Sequence, residues 1–546
     1  MIKQYVGDLR TEFAGYSSSK FRADLMAGIT VAAVALPLAL AFGVSSGADA
    51  AAGLITAIIG GIVIGLLSGA SFQISGPTGA MTAILIPVVS QYGLQGMFLA
   101  TLLAGIILIV AGILKMGRLV SIIPMPVITG FTSGIAIIIA LGQIDNFFGT
   151  KSVGETAIMK ILSYGELGFA VDWKVMVLGL IVIALMVVWP KKWQSVFPSS
   201  LASIILVTVI NALILNWDVA VVGEIPRTFL PENRLVIADI RVDTVMHVLV
   251  PAFSIAVLGM IESLLCGASA GRMKDEVMNA DRELMAQGIG SLIIPFFGGV
   301  PATAAIARTS VAVKSGQQTR LTSVIHSVGL LASMMLLAPI MSQIPMSALA
   351  GVLIVTAWKM NDWELIRHLF GKKLRGGSMA FVLTMLATVM FDLSIAILVG
   401  ITFAAVMFTV KISNTIEVTI SNIDPTRFKK EGLAFHPKHE RVRVVYVTGV
   451  LFFGSSGAAQ RKLERAMNGA DGLILSLRGL SACDSTGLHT MLEFCQRAKK
   501  DNTDLYFTGL QKQVMEDFER GGVVGQIGKE RFLWSTEDAL ELLIEE

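Results

Sequence analysis

Between Leu25 and Lys411 the chain alternates apolar stretches with short clusters of glycine, proline and charge. A helix that crosses a bilayer needs about 20 apolar residues. That length predicts segments over 25–43, 51–68, 77–90, 95–114, 119–140, 174–189, 199–216, 248–270, 284–297, 301–314, 323–340, 345–358, 378–390 and 394–411. The third and tenth are too short for a full crossing, and each opens on a break. One break reads Ser75-Gly76-Pro77-Thr78-Gly79-Ala80-Met81-Thr82, the other Gly298-Gly299-Val300-Pro301-Ala302-Thr303-Ala304-Ala305. Their prolines fit the first turn of a half helix, where a missing N–H costs nothing.

Basic residues fix the topology. They gather after even-numbered segments, at Lys115 and Arg118, Lys191 and Lys192, Arg272 and Lys274, Lys314 and Arg320, Lys359 to Arg375, and Lys411. Such loops lie in the cytoplasm, so residues 1–24 and the C-terminus are expected there too. The first 24 residues are polar and show no cleavable signal, so the apolar stretch from Leu25 is a spanning helix. The transport region is 25–411. A polar connector, 412–440, leads to a small soluble α/β domain, 441–546. In that domain Arg441–Val447 alternates as a half-buried strand, and 472–476 and 505–509 are short buried strands between helical stretches.

Composition agrees with this division. Of 546 residues, 54% are hydrophobic and 15% charged, and mean hydropathy is +0.72; most of the chain is therefore membrane-embedded. A net charge of +3 gives no reason to expect nucleic acid. Cys266, Cys483 and Cys495 lack metal-ligand spacing and read as reduced thiols. No P-loop, metal cluster or nucleophile elbow supports an enzyme, and no cofactor is expected.

Paired broken segments in two halves of a membrane chain point to a transporter's substrate site. The start of a half helix offers free N–H groups and a positive dipole end, which suit an anion. The expected substrate-binding residues are Thr78, Gly79 and Ala80 at the first break and Ala302, Thr303 and Ala304 at the second. Close helix packing is the competing role for these small residues. Glu262 lies midway along the apolar eighth segment. A carboxyl group there is costly, and out of water it binds a proton more tightly, so it is a coupling-ion candidate. A neutral, hydrogen-bonded glutamic acid is the alternative. Arg308 lies two turns into the tenth segment; it can pair with Glu262 or reach to the membrane surface beside Lys314. Gln73, which can hold the unwound backbone, and Pro37, mid-way in the first segment, are candidate support residues of the site, and Gln143 reads as packing.

Several motifs in order resemble the SulP sulfate-permease family of anion transporters. They are Gly28 to Ala39 around Pro37, Ile74-Ser75-Gly76-Pro77-Thr78-Gly79, Asn279-Ala-Asp-Arg-Glu283 to Gln287-Gly288, and Phe391-Asp392-Leu393 followed by Gly400-Ile401. The tail resembles a STAS domain, with Cys483-Asp484-Ser485-Thr486-Gly487-Leu488 as its signature loop. The resemblance implies a multi-pass α-helical membrane protein with a seven-plus-seven inverted repeat. Core and gate domains form the membrane part, and a cytoplasmic α/β STAS domain follows. It also implies an anion held between the starts of the third and tenth helices, an acidic group at Glu262 and a basic one at Arg308, a homodimer, and an elevator-like motion. The expected function is secondary active transport of sulfate, bicarbonate or a dicarboxylate in a bacterial inner membrane, coupled to protons. Sodium-coupled bicarbonate symport and an uncoupled exchanger or channel are the alternatives. Ser485 occupies a position phosphorylated in bacterial STAS proteins, and the tail can dock a cytoplasmic protein.

Overall fold

The computed structural model describes residues 2–118, 123–154, 157–190, 197–225, 228, 230–236, 242–391, 393–423 and 440–545. Asp392, Lys191, Lys192 and most of the 412–440 connector lie outside the described residues. The chain divides into two compact units, Met1–Ile401 and Thr402–Glu546.

In the first unit a short helix α1 (Ile2–Glu12) precedes α2 (Ser18–Ser45), α3 (Ala50–Leu67), a two-residue strand β1 (Ser75–Gly76) and α4 (Gly79–Ile113). Then come α5 (Met125–Gly142), α6 (Trp173–Val188), α7 (Ser199–Ile210), α8 (Val242–Lys274) and α9 (Ala280–Ile293). The strand β2 (Thr303–Ala304) leads into α10 (Ile306–Lys314), followed by α11 (Leu321–Met341), α12 (Met346–Met360), α13 (Arg375–Met390) and α14 (Leu393–Ser413), whose last residues, from Thr402, belong to the second unit. Side chains of Ser17, Asp49, Thr78, Asp172 and Asn279 accept backbone N–H groups at helix starts that would otherwise lack partners. The segments predicted at 77–90 and 95–114 run together as α4, bent at Gly93, whose φ of 68° only glycine adopts freely. Among the described residues, six helices are long and apolar enough to cross a membrane by length and composition.

Helix pairings repeat between the two halves. Helix α2 packs on α11 as α8 packs on α4; α3 packs on α11 as α9 packs on α4; α5 packs on α13 as α12 packs on α6. Each pair maps onto the other when segments are shifted by seven, which is the seven-plus-seven repeat. Small residues permit these approaches. Where α4 crosses α9, a Cβ on Gly105 would stand 2.7 Å from the Gly288 carbonyl oxygen. The pairings sort the helices into a core group (α2–α4, α8–α11) and a gate group (α5–α7, α12–α14).

The second unit carries a five-stranded sheet of order β3-β4-β5-β6-β7: β3 (Glu417–Asn422), β4 (Val442–Leu451), β5 (Gly472–Cys483), β6 (Asp504–Thr508) and β7 (Phe532–Leu533). Strand β3 is antiparallel to β4, and the remaining pairs are parallel. This corrects the sequence reading, which left 417–422 in the connector. Among the described residues the strand is an edge of the sheet, and only Val418 of its six residues is buried, so no hydrophobic alternation marks it. Along β4, Val445 and Val447 face helices α15 (Ser456–Met467), α16 (Ser485–Lys500) and α17 (Lys512–Arg520), while Val442 and Val444 face the last helix α18 (Thr536–Glu545).

Candidate functional site

The two breaks meet directly. Ser75 pairs with Ala304 and Gly76 with Thr303 in a short antiparallel bridge, and the Ala305 N–H donates to the Ile74 carbonyl at 2.9 Å. Proline cannot donate and fixes an extended-compatible φ, so Pro77 and Pro301 suit the strands leading into the helices. Neither sits in a first helical turn, contrary to the sequence expectation. Thr78 caps α4, which starts at Gly79. The second half helix starts later than expected. Ala302, Thr303 and Ala304 are extended and buried, α10 begins at Ile306, and Ala305 is its cap. The reason is local bonding: the Ala304 N–H donates to Ser263 Oγ at 3.2 Å, and β1 holds Thr303 in the bridge. The N–H groups at the start of α10 that precede its first intrahelical bond, Thr309 N–H to the Ala305 carbonyl, are those of Ile306, Ala307 and Arg308; sequence reasoning missed the first two because they look like ordinary helix interior.

Both threonine hydroxyls face the eighth segment. Thr78 Oγ1 donates to Glu262 Oε2 at 2.8 Å, and Thr303 Oγ1 donates to the same oxygen at 2.6 Å. One carboxyl group thereby bridges the breaks. Arg308 is 1% exposed. Its Nη2 donates to the Pro77 carbonyl, and its Nη1 is buried without a hydrogen-bond partner. A Cβ on Gly76 would overlap Nη1, so glycine there makes room for the guanidinium. No ion pair within 4.0 Å joins Arg308 to Glu262 among the described residues, and the side chain turns inward rather than out beside Lys314.

A cavity of about 390 Å³ lies between the two helix groups at this point. Thr78, Gly79, Glu262, Ile306, Ala307 and Arg308 line its core wall; Phe131, Thr132, Met186, Ser199, Thr356 and Lys359 line the gate wall. Ala80, Ala302 and Thr303 do not line it. Leu38 and Phe42 of α2 do, while Pro37 is buried in that helix. A second cavity, about 270 Å³, lies on the other side of the break, lined by residues such as Ala83, Gln91, Ile138 and Ser254. Gln73 Nε2 reaches across the break to the Ser263 carbonyl at 2.7 Å, and Gln143 Nε2 ties α5 to Ser45 at 3.1 Å.

Such a site, with two half-helix starts, a carboxyl group between them and a buried guanidinium beside them, suits a small anion that can be partly desolvated. A match to the Sulfate permease family spans residues 21–384, two thirds of the chain. The chain belongs to this family. A STAS domain match covers 436–539. YvdB of Bacillus subtilis (strain 168) is 33% identical over 533 residues, 95% of this chain and 97% of the relative. Bicarbonate transporter BicA of Picosynechococcus sp. is 29% identical over 95% of this chain and 94% of its own length. The solved structure of SLC26A9 superposes with a TM-score of 0.83 at 16% identity, covering 98% of this chain and 92% of that one; it shows the same fold. The sulfate-permease chain is a membrane-spanning anion transporter and not an enzyme.

In the STAS domain, Asp484 caps α16 by accepting the Gly487 N–H at 2.8 Å and also accepts the Phe453 N–H at 3.0 Å. Ser485 is the exposed first residue of that helix.

Proposed function

We propose that this member of the sulfate permease family carries a small oxyanion or dicarboxylate by proton-coupled symport with alternating access. The observation that carries the reading is the cavity wall where Arg308, the starts of α4 and α10, and Glu262 converge. Two helix starts and a guanidinium supply positive potential in a low-dielectric setting. A proton on Glu262 removes the one negative charge facing the anion, so anion and proton favour each other's binding. The substrate-binding groups are Thr78, Gly79, Ala304, Ala305, Ile306 and Ala307 on the cavity wall, with Arg308 as the charged group and Glu262 as the proton carrier; Ala80, Ala302 and Thr303, expected from the sequence to bind the anion, stand behind that wall. Two cavities on opposite sides of the bridge, both between core and gate helices, support movement of the core against the gate.

Sulfate, bicarbonate and fumarate fit this chemistry. Sodium-coupled bicarbonate transport is the second reading; the identity to bicarbonate transporter BicA supports its substrate. In this reading the protein works in a bacterial inner membrane with both termini cytoplasmic, as a homodimer in which the STAS domain regulates or assembles the transporter and can dock a cytoplasmic protein. Ser485 at a helix start is a place where phosphate is electrostatically welcome. Uptake of radiolabelled sulfate, bicarbonate and fumarate into proteoliposomes, under imposed pH and sodium gradients, tests the reading. Accumulation of one of them driven by an inward proton gradient supports it. A strict sodium requirement reassigns Glu262 to a metal-cation site, and no uptake of any overturns the substrate class.

A further inference from the structure

We propose that Glu283 and Gln287, both on α9 and remote from the cavity wall, are positioning residues that fix the unwound segment 68–76 and through it the anion-facing start of α4. The proposal rests on the site reading above. Helix α3 ends at Leu67, and the chain then runs unwound to the bridge at Ser75. Backbone groups of such a stretch lack helical partners and must find others inside the protein. Glu283 is 0% exposed. Its Oε2 accepts from Ser68 Oγ at 2.5 Å and from the Gly69 N–H at 2.9 Å. The neighbouring Arg282 donates to the Ser68 and Gly69 carbonyls at 3.2 and 3.1 Å. The start of the segment is thus held at both its donors and its acceptors from one turn of α9.

Gln287 extends this hold to the end of the segment. It lies one turn on, on the same face, and is also 0% exposed. Its Nε2 donates to Glu283 Oε1 at 2.8 Å and to Ser75 Oγ at 3.0 Å. Ser75 pairs with Ala304, and two residues later the Pro77 carbonyl receives Arg308. A carboxyl–amide pair therefore spans the unwound segment from Ser68 to Ser75 and sets where Pro77, Thr78 and Gly79 stand relative to the guanidinium. Neither residue lines either cavity, so neither touches the anion.

Hydrogen exchange of the full-length protein in lipid nanodiscs, measured peptide by peptide, tests this with Glu283→Gln and Gln287→Met. Glu283→Gln keeps the volume and loses one acceptor; Gln287→Met keeps the length and loses both bonds. Exchange over 68–80 is expected to rise roughly tenfold in both variants, the scale of a lost hydrogen bond to a charged group, with α5, α12 and α13 unchanged. In proteoliposomes the KM for whichever of sulfate, bicarbonate or fumarate is carried should rise by a similar factor with the maximal rate kept. Unchanged exchange over 68–80 in both variants overturns the proposal. So does a rise spread evenly over the whole unit, which is what general loosening produces. The exchange result stands whether or not any of the three anions is transported, so it is separable from failure of the functional reading.

Discussion

Glu262 accepts one hydroxyl from each break, at 2.8 and 2.6 Å, so its protonation is tied to the geometry of both half helices. Glu262→Gln keeps the shape and cannot release a proton. Gradient-driven accumulation should be abolished in proteoliposomes while anion counterflow survives, and full proton-driven uptake would remove the coupling role. Thr78→Val and Thr303→Val should each raise the KM by about tenfold through loss of a buried hydrogen bond that holds Glu262 between the breaks, checked by uptake at matched membrane expression. In the STAS domain, burial and then the Asp484 charge push the Cys483 thiol up to about 12, and burial alone does the same for Cys495. The thiolate is the reactive form. Peptide-resolved alkylation of both should therefore keep rising with pH above 9, where an ordinary thiol of pKa about 8.5 levels off. Glu262 and Arg308 were legible because an ionisable side chain stands out in an apolar run. Glu283 was not, because it follows Asp281 and Arg282 in a stretch that reads as a polar loop, and only the fold turns it inward.

At the level of elements, the breaks were legible from proline and small residues, but the helix starts were not. Nothing local distinguishes Ala302 from Ala305; the Ser263 hydroxyl and the Ile74 carbonyl decide where α10 begins, and both are remote in sequence. The same holds for β3, an edge strand recognisable only once β4 lies beside it. Gly76 shows how tightly the bridge is built. Gly76→Ala places a methyl group on Arg308 Nη1, so the guanidinium must shift from its place towards the cavity it lines. Anion affinity measured by calorimetry should fall by at least about tenfold, although Ala and Gly differ little in polarity. Unaltered affinity in this variant would mean that Nη1 is free to move and does not set the site.

For the molecule as a whole, every residue of the candidate site belongs to the unit ending at Ile401, and the STAS sheet starts at Glu417. Cutting the chain between Ser413 and Glu417 removes the whole sheet and leaves no half-exposed strand. The truncated membrane unit should keep its anion affinity while rate, expression or dimer stability change; loss of binding in a folded truncation would give the tail a share in shaping the site. The account stands on Arg308 as the charged group that the anion meets between the two half helices. Isothermal titration of the anion found by uptake, into wild-type protein and Arg308→Met of equal thermal stability, tests it most directly. Affinity at least about tenfold weaker in the variant, the scale of a lost charge-assisted hydrogen bond, is the predicted result. Equal affinity in the two proteins would contradict the account and place the anion elsewhere.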